Sequence, residues 1–115
     1  MATIANRYSF LRRQFEGKDG SEAPETPVIL YQMQQFKVVP SLCYTWALLF
    51  SINRLYGMNK EYKERLEETK GQDSKVFRIL SDVHVHACGM KALGSYAIET
   101  YGELLKQACG GHGYL

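Results

Sequence analysis

The sequence predicts an all-α fold, an antiparallel helical bundle, and three observations carry that reading. Val76, Leu80, Val83, Ala87, Met90, Gly94, Ala97, Tyr101 and Leu104 recur at alternating spacings of four and three, a near-heptad seam along one face of a long helix. No useful stretch alternates apolar and polar residues with the period of two that a half-buried strand needs. Gly, Pro and capping residues punctuate the chain where helices would start and stop.

Taken in order, Ile4, Tyr8, Leu11 and Phe15 fall on one face of a first helix, with Thr3 as its N-cap. Residues 16–25 read EGKDGSEAPE, a surface loop without apolar periodicity. Thr26-Pro27 is a helix-start signal, because Thr can cap free amides and Pro at the first helical position loses no hydrogen bond. The helix that follows is expected to bury Ile29, Met33, Phe36, Leu42, Trp46, Leu49, Ile52 and Tyr56, to kink at Pro40 and to end at Gly57. Asn59 then caps a short charged surface piece, 60–70, in which Glu61 and Arg65 pair. Gly71 stops it, Asp73 or Ser74 opens the seam-bearing helix, and Gly110-Gly111 ends that helix. Small Ala87, Gly94 and Ala97 would let a neighbour approach the seam closely.

With 115 residues the chain is read as one domain, 1–115. Three long helices and a short polar one leave the bundle without a last helix. The open face is expected to take a helix of a longer chain, a helical partner or another subunit of a homo-oligomer. A hydrophobic content of 45% and a charged content of 23% exclude a disordered chain. A net charge of +2 is too weak a field for nucleic-acid binding through counterion release. Val38–Ile52, the longest apolar stretch, is interrupted by Pro40, Ser41 and Thr45 and is too short for a membrane span. Cys43, Cys88 and Cys109 are odd in number and irregularly spaced, which argues against a disulfide framework or a zinc ribbon and for a reducing compartment.

Chemistry-bearing residues are sparse. His84 and His86 point about 200° apart on a helix; His84 and Cys88 share a face but lack a third ligand, so no metal site is assigned. Nothing in the sequence ties a base to a cysteine, and no acid sits on the apolar seam, so no catalytic residue is assigned in this chain. Gln107-Ala108-Cys109-Gly110-Gly111-His112-Gly113-Tyr114 is the informative segment. Its glycines permit positive φ and close backbone approach to a ligand, or equally a plain helix cap and turn. It lacks the spacing and the following Lys of a phosphate loop.

Four blocks in order carry a resemblance: Arg7-Tyr8-Ser9 with Arg12-Arg13-Gln14-Phe15; Tyr31-Gln32-Met33-Gln34-Gln35-Phe36-Lys37 with Pro40; His84 with Gly89-Met90-Lys91-Ala92; and Cys109-Gly110-Gly111-His112-Gly113-Tyr114. The chain resembles the helical C-terminal region of the acyl-CoA oxidases, within the acyl-CoA dehydrogenase superfamily. The resemblance implies a flavin enzyme of fatty-acid β-oxidation that converts fatty acyl-CoA to trans-2-enoyl-CoA and passes the electrons to oxygen as hydrogen peroxide. It implies FAD as cofactor, a dimer, and the peroxisome as compartment, with mitochondrion and cytosol as alternatives. Arg12, Gln14 and Phe15 match residues on the FAD diphosphate and adenine side. Gln107, Gly110 and Gly111 match the segment that approaches the FAD of the partner subunit. Gln32, Gln34 and Gln35 read equally as plain polar positions.

The family's catalytic glutamate lies beyond the glycine segment, past Leu115, and the flavin-holding domains lie upstream. The isolated chain is therefore expected to lack oxidase activity, to bind FAD weakly and to meet fatty acyl-CoA only in a completed enzyme. The alternative reading is a non-catalytic helical interaction protein derived from this fold.

Overall fold

The computed structural model describes residues 1–15 and 24–114. Three α-helices make up nearly all of it: α1 (Ala2–Leu11), α2 (Gln32–Thr69) and α3 (Ser74–Ala108). Between α1 and α2 lie two short strands, β1 (Arg13–Gln14) and β2 (Thr26–Pro27), and a 3-10 turn, Val28–Leu30. A second 3-10 turn, Gly110–Tyr114, follows α3. The all-α expectation holds, while most of the predicted surface loop, 16–23, falls outside the described residues.

The chain divides into two compact units. The first comprises Met1–Thr45 and Ala97–Leu115. Its core is Ala5 on α1 against Leu105 of α3 and Cys109, with Ala2 and Tyr8 alongside. The start of α2 meets the end of α3, through Gln34 with Ala108 and the Tyr44 and Tyr101 rings at 4.9 Å, so the two helices run antiparallel here. The second unit, Trp46–Tyr96, holds the rest of α2 and α3 with the turn that joins them.

Several expectations are corrected. Met1, not Thr3, is the N-cap of α1. The buried face of α1 is small, Ala5 and Ser9, while Ile4, Leu11 and Phe15 are exposed. Small side chains permit a close approach that a row of large ones would block. Thr26-Pro27 does not start a helix: Gln14 pairs with Thr26 and Arg13 with Pro27 in an antiparallel ladder, and Pro27 is extended at ψ 134°. That pairing joins residues 12 and 14 apart, which local helix signals cannot reveal.

Nor does α2 stop at Gly57; it runs 38 residues, through Pro40 and through the charged 60–69 stretch. Glycine ends a helix only by adopting the left-handed conformation, and Gly57 does not. The expected Glu61–Arg65 pair forms at 3.8 Å, beside Lys60–Glu64 at 3.7 Å. Of the row expected to be buried only Ile29 and Leu42 are half-buried, and α2 turns a different face inward. Val38, Ser41 and Met58 are buried, whereas Met33, Phe36, Trp46, Leu49, Ile52 and Tyr56 are exposed. Apolar residues surround this helix, so its sequence does not single out one face.

The α3 reading fares better. Asp73 caps it, its Oδ1 accepting the Lys75 N–H at 2.9 Å. Val76 and Ala97 are buried, and Val83, Ala87, Met90, Gly94, Tyr101 and Leu104 half-buried; Leu80 alone of the seam is exposed. In the second unit Phe50, Arg54, Val85, Met90 and Leu93 line a largely apolar groove of about 530 Å³. No described helix is long and apolar enough to cross a membrane.

Candidate functional site

The sequence-predicted residues fall in two places in the first unit, just after α1 and at the end of α3. As α1 ends, Arg12 turns extended, at φ −71° and ψ 127°; its N–H donates to the Tyr8 carbonyl and its own carbonyl accepts the Val28 N–H at 2.9 Å. The next residue, Arg13, is tied down by its guanidinium, which donates to the Glu25 carbonyl at 3.1 Å. Arg12 is exposed, and among the described residues no carboxylate lies within ion-pair distance of it. Gln14 gives its backbone carbonyl to the Tyr31 hydroxyl at 3.2 Å, leaving the side-chain amide uncommitted among the described residues. Phe15 adopts φ +62°, a conformation costly for a bulky residue, with its ring edge-on to Tyr31 at 6.0 Å.

At the other side α3 ends on buried Ala108, buried Cys109 follows, and Gly110 turns the chain at φ +57°. A Cβ there would lie 3.7 Å from the Tyr8 hydroxyl, an ordinary contact, so the glycine is needed for its backbone angle. Gly111 has open space around it. Gly113 does not: a Cβ would collide with the Lys106 carbonyl, which makes it the sterically required glycine of the turn. His112 stacks obliquely on Tyr8, ring centres 5.5 Å apart. Burial pushes the Cys109 thiol above its ordinary 9.0, the α-amino group pulling weakly the other way.

A groove of about 290 Å³ brings three of the predicted residues together. Gln14, Gln107 and Gly110 line it with Tyr8, Tyr31 and Gln34, and with Val28, Met33 and Ala108. Arg12, Phe15 and Gly111 lie outside this lining. Gln107 donates to the Glu103 carboxylate at 3.4 Å. The groove is neutral and rich in amide and hydroxyl groups, so it suits hydrogen bonding to a polar ligand rather than charge pairing. Arg12, exposed and two residues before Gln14, is the predicted residue that can pair with an anion.

The chain matches known proteins along nearly its whole length. The profile of the acyl-CoA oxidase C-alpha1 domain matches residues 1–115. The chain belongs to the acyl-CoA oxidase family. Peroxisomal acyl-coenzyme A oxidase 1 of Homo sapiens is 38% identical over 112 residues, covering 97% of this chain and 16% of the relative. Acyl-coenzyme A oxidase 2, peroxisomal, of Arabidopsis thaliana is 36% identical over 114 residues, covering 98% of this chain and 15% of the relative. Among solved structures, acyl-CoA oxidase 1 of Yarrowia lipolytica superposes with a TM-score of 0.83 at 30% identity, covering 99% of this chain and 17% of that one. The chain thus spans about a sixth of the length of the relatives it matches.

Sequence reasoning missed Tyr8, Tyr31 and Gln34 as groove residues. Gln34 is not a plain polar position: its side-chain amide donates to Ser9 and to the Ala108 carbonyl, both at 2.8 Å. All three lie in the blocks that carry the family resemblance, which was the available signal. Elsewhere, His84 Nε2 and Cys88 Sγ approach to 3.6 Å on exposed α3, and among the described residues no three His, Cys, Asp or Glu side chains gather as a metal site would require.

Proposed function

We propose that this chain is the FAD-side helical segment of an acyl-CoA oxidase, which converts a fatty acyl-CoA and oxygen to a trans-2-enoyl-CoA and hydrogen peroxide. The observation that carries the reading is the groove holding Gln14, Gln107 and Gly110 together, with Arg12 exposed two residues before Gln14. These residues fit a dinucleotide. A guanidinium without a carboxylate partner among the described residues suits a diphosphate. The bare backbone at Gly110 leaves room for a nucleotide to lie close, and the neutral amide lining offers donors and acceptors to its polar edges.

In this reading Arg12 holds the diphosphate, with Gln14 and the strained Phe15 beside it, and Gln107, Gly110 and Gly111 face the FAD of a partner subunit. FAD, when bound, takes up the two hydrogens removed from the acyl chain. This chain's own residues bind and orient it; the proton-abstracting carboxylate is assigned to no residue here. The exposed rows on α2, from Phe36 to Tyr56, suit the expectation that other helices or a second subunit cover the bundle. The peroxisomal relatives support that compartment.

The test is a segment exchange: this chain replaces the matching 112 residues of the Homo sapiens relative. FAD per chain and peroxide release from acyl-CoA are then measured. Retained FAD and peroxide support the reading; a folded chimera that holds no FAD contradicts it.

A further inference from the structure

The two halves of the proposed site, the stretch from Arg12 to Phe15 and the turn at Gly110, are far apart in sequence, so something must fix one against the other. One side chain reaches both supports. The Gln34 amide nitrogen donates to Ser9 Oγ on α1 and to the Ala108 carbonyl at the end of α3, each at 2.8 Å. Ser9 is fully buried, and its own hydroxyl proton goes to the Ala5 carbonyl at 2.7 Å, which leaves its oxygen to accept. The Ala108 carbonyl can only accept, so the group facing it must be the NH₂ of Gln34, and both of that group's hydrogens are used. Ala108 immediately precedes Cys109-Gly110, while Ser9 lies three residues before Arg12.

From this geometry we infer that Gln34 is a positioning residue: its two donated hydrogen bonds lock the glycine turn to α1, the helix that leads into Arg12 and Gln14. The inference rests on reading those two segments as one site. Its physical content is donor polarity, because two acceptors at fixed positions demand a donor between them. A carboxylate of the same shape would set acceptor against acceptor at Ala108 and break that link, and would keep Ser9 only by drawing the serine proton away from the Ala5 carbonyl.

The test is hydrogen exchange of the 115-residue chain, followed by mass spectrometry of a peptide spanning 106–114 and of a control peptide in 78–96, with far-ultraviolet circular dichroism to confirm the helices. Gln34→Glu and Gln34→Met should each speed exchange of the turn about tenfold or more, the cost of buried groups left without partners, and leave the control unchanged. Gln34→Lys, which keeps donors, should hold the turn near the parent rate. Equal exchange in all four proteins overturns the inference, as does equal loosening in Lys, Met and Glu, which would mean shape rather than donation matters. If Gln34→Glu loses its helical signal, Lys against Met decides alone by the same criterion. The exchange is read without nucleotide, so it stands or falls separately from FAD binding. In the segment-exchange enzyme, Gln34→Met should weaken FAD about tenfold and Gln34→Lys should not; unchanged affinity with Gln34→Met, where Arg12→Ala still weakens it, rejects the positioning role.

Discussion

The glycine turn after α3 allows a prediction in which neighbouring, chemically identical substitutions differ in sign. Gly110, Gly111 and Gly113 are each replaced by alanine. At Gly110 the methyl meets only the Tyr8 hydroxyl at an ordinary 3.7 Å, so the cost is the left-handed backbone at φ +57°, about 1–2 kcal/mol. At Gly111 no atom lies within 4 Å and no positive φ is demanded; alanine there removes freedom from the unfolded chain and gains about 0.4–1 kcal/mol. At Gly113 the methyl strikes the Lys106 backbone, which cannot swing aside as a side chain would, so the turn must open. That cost exceeds the Gly110 cost and lies toward the top of the roughly 1–3 kcal/mol that overpacking typically costs. For a chain of this length 1 kcal/mol moves the melting midpoint by about 4 °C. Thermal melts followed by helical circular dichroism should therefore show Gly111→Ala at or slightly above the parent, Gly110→Ala about 4–8 °C below, and Gly113→Ala lowest. A Gly111→Ala midpoint as low as that of Gly113→Ala would refute the reasoning. The same variant separates structure from ligand: placed in the segment-exchange enzyme, Gly111→Ala should keep stability while weakening FAD.

Two further outcomes follow from individual contacts. Asp73→Ala removes the cap on the Lys75 N–H and should cost about 1 kcal/mol in urea unfolding, with Asp73→Asn restoring most of it; no change would mean the cap is idle. Burial of Cys109 raises its folded pKa above the unfolded value, so the unfolded chain loses the proton first as pH rises. Its contribution is therefore fully present below about pH 8 and declines as pH climbs past 9.0 toward the raised value. Unfolding measured from pH 7 to 10 should fall less steeply for Cys109→Ala than for the parent, and parallel curves would contradict this.

What the sequence reveals depends on where the apolar residues lie. On α3 the periodic ones form a seam, and Val76, Ala97 and their half-buried companions face inward as the spacing predicts, while Phe77, Val85, Leu93 and Ile98 lie exposed off it. On α2 they encircle the helix, and the burial of Val38, Ser41 and Met58 is decided by packing rather than by pattern. On α1 the inward face is Ala5 and Ser9, which a search for large apolar residues passes over. The β1–β2 ladder and the Gln34 bridge join residues distant in sequence, so no local signal encodes them. The candidate site was legible as residue types, Gln14, Gln107 and Gly110 among them, through the family blocks. Its assembly into one groove needed the fold, and the groove's Tyr8, Tyr31 and Gln34 went unread because nothing in their spacing announces a ligand.

The central claim is that Arg12 belongs to a dinucleotide site, and it is tested most directly by FAD titration of the segment-exchange enzyme with Arg12→Ala beside Arg7→Ala. Loss of a charge-assisted diphosphate contact should weaken FAD about 10–100-fold in the first variant, with Arg7→Ala close to the parent. Equal FAD affinity in the parent and both variants would contradict the account.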